Sequence, residues 1–180
     1  MNVLYIERST GDCRNGEWVK NLKLDPPPER IVVGIGPGSF AGIRSALAFA
    51  KGYAVGRDCE VAGLPSACAL IGPEDLDKPL AVVGDARQGK YWVALFDGYS
   101  LICDVFLVDR ENLAKRVPRQ ARVTTPDAAR IEEVLKEDFG DAYVGGRTPD
   151  AEGLKRFAEA SPETLRPDPL PIYLNPAVRK

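Results

Sequence analysis

The sequence predicts an α/β fold built from short elements. Apolar runs such as Val3-Leu4-Tyr5-Ile6 and Ile31-Val32-Val33 are typical of strands, and they alternate with segments of helical periodicity. Hydrophobic residues make up 44% of the 180 residues, enough for the core of one domain or of two small lobes. The 15 prolines and 17 glycines favour many short elements over a long helical bundle.

The elements of the first half follow one another closely. The apolar run over residues 3–6 predicts a strand, and the alternation over residues 17–24 predicts an antiparallel partner strand. Residues 25–30 form a proline-rich connector that is too short for a helix. We then expect, in order, a strand, a helix, a strand and a short helix, over residues 31–36, 39–55, 60–63 and 66–71.

The second half begins with an antiparallel meander. Strands are expected over residues 80–85, 90–96 and 101–108, the first two joined by a turn at residues 86–89. A short helical turn at 111–113, a helix at 126–139, a strand at 143–146, a helix at 150–160 and an extended proline-rich surface tail from 162 complete the prediction. The boundary is expected within residues 70–79, which gives a first lobe over residues 1–72 and a second over 79–180.

Composition excludes several classes of protein. A formal charge of −2 gives no basic field for nucleic acid binding by the chain alone. The absence of histidine excludes histidine-based catalysis and every common zinc site that contains histidine, and neither a catalytic residue nor a metal ligand set is predicted. The four cysteines form no Cys-x-x-Cys pair, and no apolar run is long enough to cross a bilayer. These features favour reduced, mostly buried thiols in a cytoplasmic protein without membrane contact.

The segment from Gly34 to Arg44 is the most specific part of the chain. Its glycines alternate with small residues between a strand and an Ala-rich helix, and Ser39 is suited to cap that helix. Such a helix start favours anions, so the candidate anion or nucleotide contacts are Gly36, Gly38, Ser39 and Arg44. The alternative is a tight strand-to-helix turn whose glycines serve packing only.

Four motifs, in order along the chain, resemble the bacterial TsaB (YeaZ) family. They are Gly-Pro-Gly-Ser-Phe-Ala-Gly-Ile-Arg at residues 36–44 with Ala50-Lys51-Gly52, Gly63-Leu64-Pro65-Ser66, Asp85-Ala86-Arg87-Gln88-Gly89-Lys90-Tyr91-Trp92, and Pro171-Ile172-Tyr173-Leu174-Asn175-Pro176. The resemblance implies the two-lobed fold of the superfamily that contains actin, the sugar kinases and the heat-shock ATPases.

The resemblance also implies a function. Members of this family are non-catalytic companions of TsaD and act with TsaE to install threonylcarbamoyladenosine next to the anticodon of tRNA. For this chain it implies binding of TsaD, contact with tRNA only through the complex, a homodimer in isolation, and no cofactor except ATP or ADP at an interface with TsaD. Relatives often carry a glycoprotease label, which a chain without histidine does not support.

The sequence departs from the family pattern in its first lobe. Only residues 25–30 connect Leu24 to Ile31, so a helix that forms part of the family's TsaD interface is missing. Residues 6–10 read Ile-Glu-Arg-Ser-Thr where the family has Ile-Asp-Thr-Ser-Thr, and Ala41 replaces a threonine. Two alternatives therefore stay open: a diverged homodimeric relative that no longer binds TsaD, and a nucleotide-binding phosphotransferase.

The expected partner surface is the helix over residues 39–55. Its small residues would let another helix approach closely, and with a neighbouring helix missing this face needs a cover. The candidate interface residues are Arg44, Ala46, Leu47, Ala50 and Lys51, and an Ala50→Glu substitution is expected to weaken association without unfolding the chain.

Two smaller predictions concern the second lobe. Asp85 is expected to shape the turn after its strand, with magnesium binding as the weaker alternative because the sequence shows no second carboxylate. Tyr91 and Trp92 alternate across a strand, so one ring is expected in the core and the other toward a partner.

Overall fold

The computed structural model describes residues 1–10, 17–22 and 24–174. The strands, in chain order, are β1 (Val3–Ile6), β2 (Arg30–Gly34), β3 (Glu60–Leu64), β4 (Leu80–Arg87), β5 (Lys90–Asp97), β6 (Ser100–Leu101), β7 (Phe106–Asp109), β8 (Arg122–Thr125), β9 (Tyr143–Gly146) and β10 (Arg166–Pro167). The α-helices are α1 (Phe40–Ala54), α2 (Leu113–Arg116), α3 (Ala128–Phe139) and α4 (Ala151–Ala160). Short 3-10 helices lie at Glu17–Asn21, Ser66–Leu70, Pro73–Asp75, Arg110–Asn112, Gly140–Ala142 and Pro162–Thr164.

The chain folds as two compact units. The first consists of Met1–Ala69 together with Pro149–Ile172, and the second of Leu70–Thr148 with Tyr173–Lys180. The predicted division at residues 72 and 79 lies close to the first crossing between the units. It differs over α4 and the part of the tail up to Ile172, which were assigned to the second lobe and belong to the first unit.

The first unit is a four-stranded sheet covered by α1. The strand order is β1-β2-β3-β10, with β1, β2 and β3 parallel and β10 antiparallel to β3. Ile31 and Val33 of β2 share a buried cluster with residues of α1. The predicted strands, helix and short helix between residues 31 and 71 are therefore confirmed, within one or two residues at their ends.

Two predictions for this unit were wrong. In place of the strand predicted over residues 17–24, Glu17–Asn21 is a helical turn, and Trp18 in this turn and Leu22 just after it both pack on the α1 cluster; Lys23 lies outside the described residues. The tail does not simply cross the surface: β10 pairs with β3, and the Ile172 N–H donates to the Ile35 carbonyl at 2.9 Å. The conformation of both segments depends on contacts with residues that are distant in the sequence.

Helix α4 returns to the first unit, where it packs against β1. Asp150 caps α4 by accepting from the Gly153 N–H at 2.7 Å. Gly153 lies so close to the Ala69 carbonyl oxygen that a Cβ there would be 2.0 Å from it. Helix α4 can pack this close to Ala69 only because residue 153 is a glycine.

The second unit is a mixed sheet in the order β6-β5-β4-β8-β9, with β7 also pairing with β5. The β4–β5 hairpin is antiparallel as predicted, and the predicted strand at 101–108 is divided into β6 and β7. Tyr91 and Trp92 are both buried, so the expectation of one partner-facing ring was wrong. The Trp92 ring covers Gly84 on the neighbouring strand, where a Cβ would lie 2.1 Å from it.

Among the described residues, no helix combines the length and apolar character needed to cross a membrane.

Candidate functional site

The glycine-rich segment is a turn between β2 and α1, as the sequence predicts. Gly36 has a φ of 92° and Gly38 a φ of 154°, values that favour glycine over residues with a Cβ. Ser39 precedes α1, and its side chain accepts a hydrogen bond from the Gly42 N–H at 3.4 Å. The capping role of Ser39 is thus confirmed.

The polar groups of the turn are bound within the protein. The Gly36 N–H donates to Ser66 Oγ at 3.0 Å, and the Ser66 N–H donates to the Gly36 carbonyl at 2.8 Å. The Ser39 N–H donates to the Ser9 carbonyl at 2.5 Å, and Gly38 packs directly on Ser9. Two of the N–H groups expected to hold an anion are therefore already used, which favours the packing interpretation of the glycines.

A buried carboxyl group lies beneath this turn. Glu7 Oε1 accepts a hydrogen bond from the Ser9 N–H at 2.5 Å, and a Cβ on Gly34 would lie 1.8 Å from Glu7 Oε2. Burial raises the pKa of Glu7, and hydrogen bonding from Ser9 offsets part of that rise. The burial of Glu7 was not predicted from the sequence, although the sequence showed that Glu7 replaces an aspartate of the family.

Helix α1 buries the face that was expected to bind a partner. Ala46 and Ala50 are fully buried and Leu47 is 5% exposed, and all three belong to the core cluster against β2. These three residues cannot form a partner surface while the helix stays on its sheet, so their assignment to the interface is corrected. The predicted Ala50→Glu test fails with it, because the new side chain would enter the core.

The opposite side of α1 is open. We call it the exposed α1 face; it consists of Phe40, Ala41, Arg44, Ala48, Gly52 and Val55. At 100° per residue, these positions fall within an arc of about 120° around the helix axis. Phe40 is 56% exposed and Val55 is 75% exposed, so large apolar side chains lie at both ends of a row of small residues.

The charged side chains of α1 and of the residues just after it are all basic. Residues 40–57 contain Arg44, Lys51 and Arg57 and no acidic residue. Arg44 is exposed with its guanidinium 4.8 Å from the centroid of the Phe40 ring, and Lys51 pairs with Asp168 at 2.7 Å. Of the predicted interface residues, Arg44 therefore lies on the exposed α1 face, and Lys51 lies beside it.

Asp85 has the structural role that was predicted for it. Its Oδ1 accepts from the Arg87 N–H at 2.8 Å, which shapes the turn between β4 and β5. The sequence showed no second carboxylate near Asp85, but the fold brings Asp127 to it. Asp127 Oδ2 accepts a hydrogen bond from the Asp85 N–H at 2.9 Å. The Arg130 guanidinium bonds to both carboxylates, so a cation of the protein itself compensates their charge.

No group of three or more metal-binding side chains of histidine, cysteine, aspartate or glutamate occurs in the part of the chain that the structure describes. Cys68 is buried and Cys59 is half-buried, and burial raises the pKa of each thiol. Cys103 is exposed, and Cys13 lies outside the described residues.

Comparison with known proteins identifies the family. A family model described as TsaD, tRNA N6-adenosine threonylcarbamoyltransferase, matches residues 17–145, well over half of the chain. The chain belongs to this family. The resemblance to TsaB (YeaZ) and the actin-like ATPase fold expected from the motifs are thereby confirmed, and they associate the chain with the family of tRNA threonylcarbamoyladenosine modification.

Two solved structures share the fold. YeaZ from Pseudomonas aeruginosa is 20% identical over 89% of this chain and 84% of that chain, with a TM-score of 0.66. An uncharacterized protein with similarity to peptidase YEAZ from Pseudomonas aeruginosa is 18% identical over 90% of this chain and 80% of that chain, with a TM-score of 0.64. No curated protein matches this chain in sequence.

Proposed function

We propose that this chain is a non-catalytic partner subunit that binds TsaD during threonylcarbamoyladenosine modification of tRNA. The observation that carries the proposal is the exposed α1 face of a chain that belongs to the TsaD family. TsaE and tRNA would contact the assembled complex. ATP or ADP would bind only at an interface with TsaD.

The shape of the exposed α1 face suits a second helix. Ala41, Ala48 and Gly52 have side chains of one carbon or none, so an opposing backbone can approach closely. Phe40 and Val55 would each bury apolar area that now contacts water, at about 25 cal/mol per Å². Association through this face therefore removes the largest exposed apolar side chains of the helix from solvent.

The charge of the face favours a different protein over a second copy. In a two-fold symmetric dimer the same face meets itself, which brings the cationic helices of the two copies together. An acidic helix of a partner would instead pair with Arg44 and speed the encounter. A homodimer in isolation, expected from the resemblance, is for this reason the weaker state.

The side chains near the turn support a non-catalytic role. Ser39 is occupied as a helix cap, and the chain has no histidine to activate it. Lys51 pairs with Asp168 and lowers the pKa of that carboxyl, so the Lys51 amino group is already engaged in an ion pair. We expect no hydrolysis of peptide bonds by the purified chain.

The test is binding of TsaD from the same organism to the isolated chain, measured by calorimetry at low salt. Ala48→Glu adds a carboxylate to the centre of the exposed α1 face and is expected to weaken binding at least tenfold. Ala151→Glu is the matched control, because Ala151 is also exposed and begins α4. It should bind as the wild type does.

Three results would contradict parts of the proposal. No binding by the wild type would overturn the partner role and favour the diverged homodimer, which sedimentation detects. Equal binding by the Ala48→Glu variant and its control would show that TsaD binds a surface other than the exposed α1 face. Binding of ATP by the isolated chain would instead support the phosphotransferase.

A further inference from the structure

The glycine-rich turn between β2 and α1 is held at both of its ends by serines from other segments of the first unit. At the start of the turn, the Gly36 N–H donates to Ser66 Oγ at 3.0 Å. At its end, the Ser39 N–H donates to the Ser9 carbonyl at 2.5 Å. The turn therefore keeps its shape only while both serines stay in place.

The carboxyl group of Glu7 lies between these two serines. Its Oε1 accepts a hydrogen bond from the Ser9 N–H at 2.5 Å. A Cβ on Gly34 would lie 1.8 Å from Glu7 Oε2 and 2.9 Å from Ser66 Oγ, so these two oxygens are neighbours. One side chain thus reaches the residues that hold the two ends of the turn.

The second oxygen of this carboxyl group has no partner. In the part of the chain that the structure describes, Glu7 Oε2 is buried and makes no hydrogen bond. A buried carboxylate oxygen without a donor is costly, whereas a carboxylic acid can donate its proton to a neighbouring oxygen. Ser66 Oγ can receive this proton, because a hydroxyl oxygen has two lone pairs and the Gly36 N–H uses one of them.

The charged and titratable groups around Glu7 do not compensate a negative charge there. Arg8 has its guanidinium 5.7 Å from the centroid of the Trp18 ring. Cys68 is a buried thiol, and Arg166 of β10 acts on that thiol. The glycine-rich turn itself contains no titratable side chain. Burial is the largest cause of the shift in the pKa of Glu7 and raises it, and no charged side chain contributes to that shift.

We propose that Glu7 is a proton-dependent latch of the glycine-rich turn. With a proton on Oε2, the carboxyl group donates to Ser66 Oγ and accepts from the Ser9 N–H, and both serines hold the turn closed. When this proton passes to water, the buried charge draws water to Oε2, the two serines shift, and the turn opens.

The latch acts on one end of the exposed α1 face. Ser39 caps α1, and Phe40 and Arg44 lie in the first turns of that helix. When the turn opens, the start of α1 loses the contacts that fix it, and these two side chains lose their fixed position. An effect of the latch on TsaD binding rests on the proposed function. The latch itself is measured in the isolated chain, so the two proposals can fail separately.

The test is amide exchange measured by NMR between pH 4 and pH 9, together with the carboxyl carbon shift of Glu7. We expect the protection factors of the Gly36 and Ser39 N–H groups to fall at least tenfold as Glu7 ionises, with the same midpoint. A tenfold change corresponds to a pKa difference of about one unit between the closed and the open turn. The Ile35 N–H should stay protected, because its bond to the Leu64 carbonyl at 2.8 Å is not part of the latch.

Two variants separate the latch from a general effect of pH. Glu7→Gln keeps a neutral donor at this position and should keep both amides protected over the whole pH range. Glu152→Gln is the matched control, because Glu152 is an exposed glutamate of α4 in the same unit, and it should follow the wild type.

Three results in the wild-type chain would each overturn the proposal. They are protection that stays level while Glu7 ionises, a Glu7 carboxyl that titrates at its ordinary value of about pH 4, and an equal loss of protection at Ile35, which would mean general unfolding. None of them needs a substitution, so the latch remains falsifiable if Glu7→Gln does not fold.

Discussion

Substitutions on the two sides of α1 give the sharpest test of the fold. Ala48 and Ala50 are two residues apart and are the same amino acid, yet Ala48 is exposed and Ala50 is fully buried between α1 and the sheet. We expect Ala48→Glu to leave the fold intact and Ala50→Glu to unfold most of the first unit. The difference comes only from what surrounds each Cβ.

The expected magnitudes follow from burial. An exposed substitution changes the free energy of unfolding by about 0.5 kcal/mol or less. A carboxyl group forced into an apolar core has its pKa raised above 7, so it must be protonated at neutral pH, and this costs about 4 kcal/mol at pH 7. The extra side-chain volume beside Ile43 and Leu47 adds about 1–3 kcal/mol. Since a domain of this size has a stability of about 5–15 kcal/mol, Ala50→Glu removes a large part of it.

The assay is urea unfolding followed by circular dichroism at pH 7 for the wild type and both variants. Ala48→Glu should reproduce the wild-type midpoint. Ala50→Glu should have lost its helical signal before urea is added, or show a midpoint lowered by several molar. A wild-type midpoint for Ala50→Glu would refute the burial of this face, and with it our placement of the exposed α1 face.

The remaining predictions concern titration and thiol reactivity. Burial raises the pKa of Glu7 in the folded state, so the contribution of Glu7 to stability is present at low pH and is lost as pH rises through the folded-state pKa. Urea unfolding should therefore show Glu7→Gln gaining stability over the wild type between pH 4 and pH 8; a gap that shrinks with pH would contradict this. With a thiol reagent at pH 8, native Cys103 should react at least a hundredfold faster than Cys68, which is buried and has a raised pKa. Equal rates in the native protein would mean that the core around Cys68 opens readily.

Local patterns were enough for much of the fold. The strand, glycine turn and helix around Ser39 were predictable because turn chemistry and helix capping depend on residues within a few positions of one another. The β4–β5 hairpin was predictable for the same reason, since a short turn joins two apolar runs. The role of Asp85 in shaping its turn also followed from its neighbours.

The composition alone determined that histidine chemistry is absent, and the order of motifs determined the family. The sequence did not show which side of α1 is buried, because alanines occupy both sides and an alanine occurs equally well in the core and at the surface. The prediction of a strand over residues 17–24 rested on the alternation of the sequence, whereas the spacing of Trp18 and Leu22 places both against the core.

Only the tertiary structure decided the contacts between distant segments. The return of α4 and β10 to the first unit, the burial of Glu7 beneath the glycine turn, and the bond from Arg147 to Leu70 all join residues far apart in the chain. Each arises because a polar or apolar group leaves water only when the complementary surface of another segment is present. That surface exists only once the chain has folded.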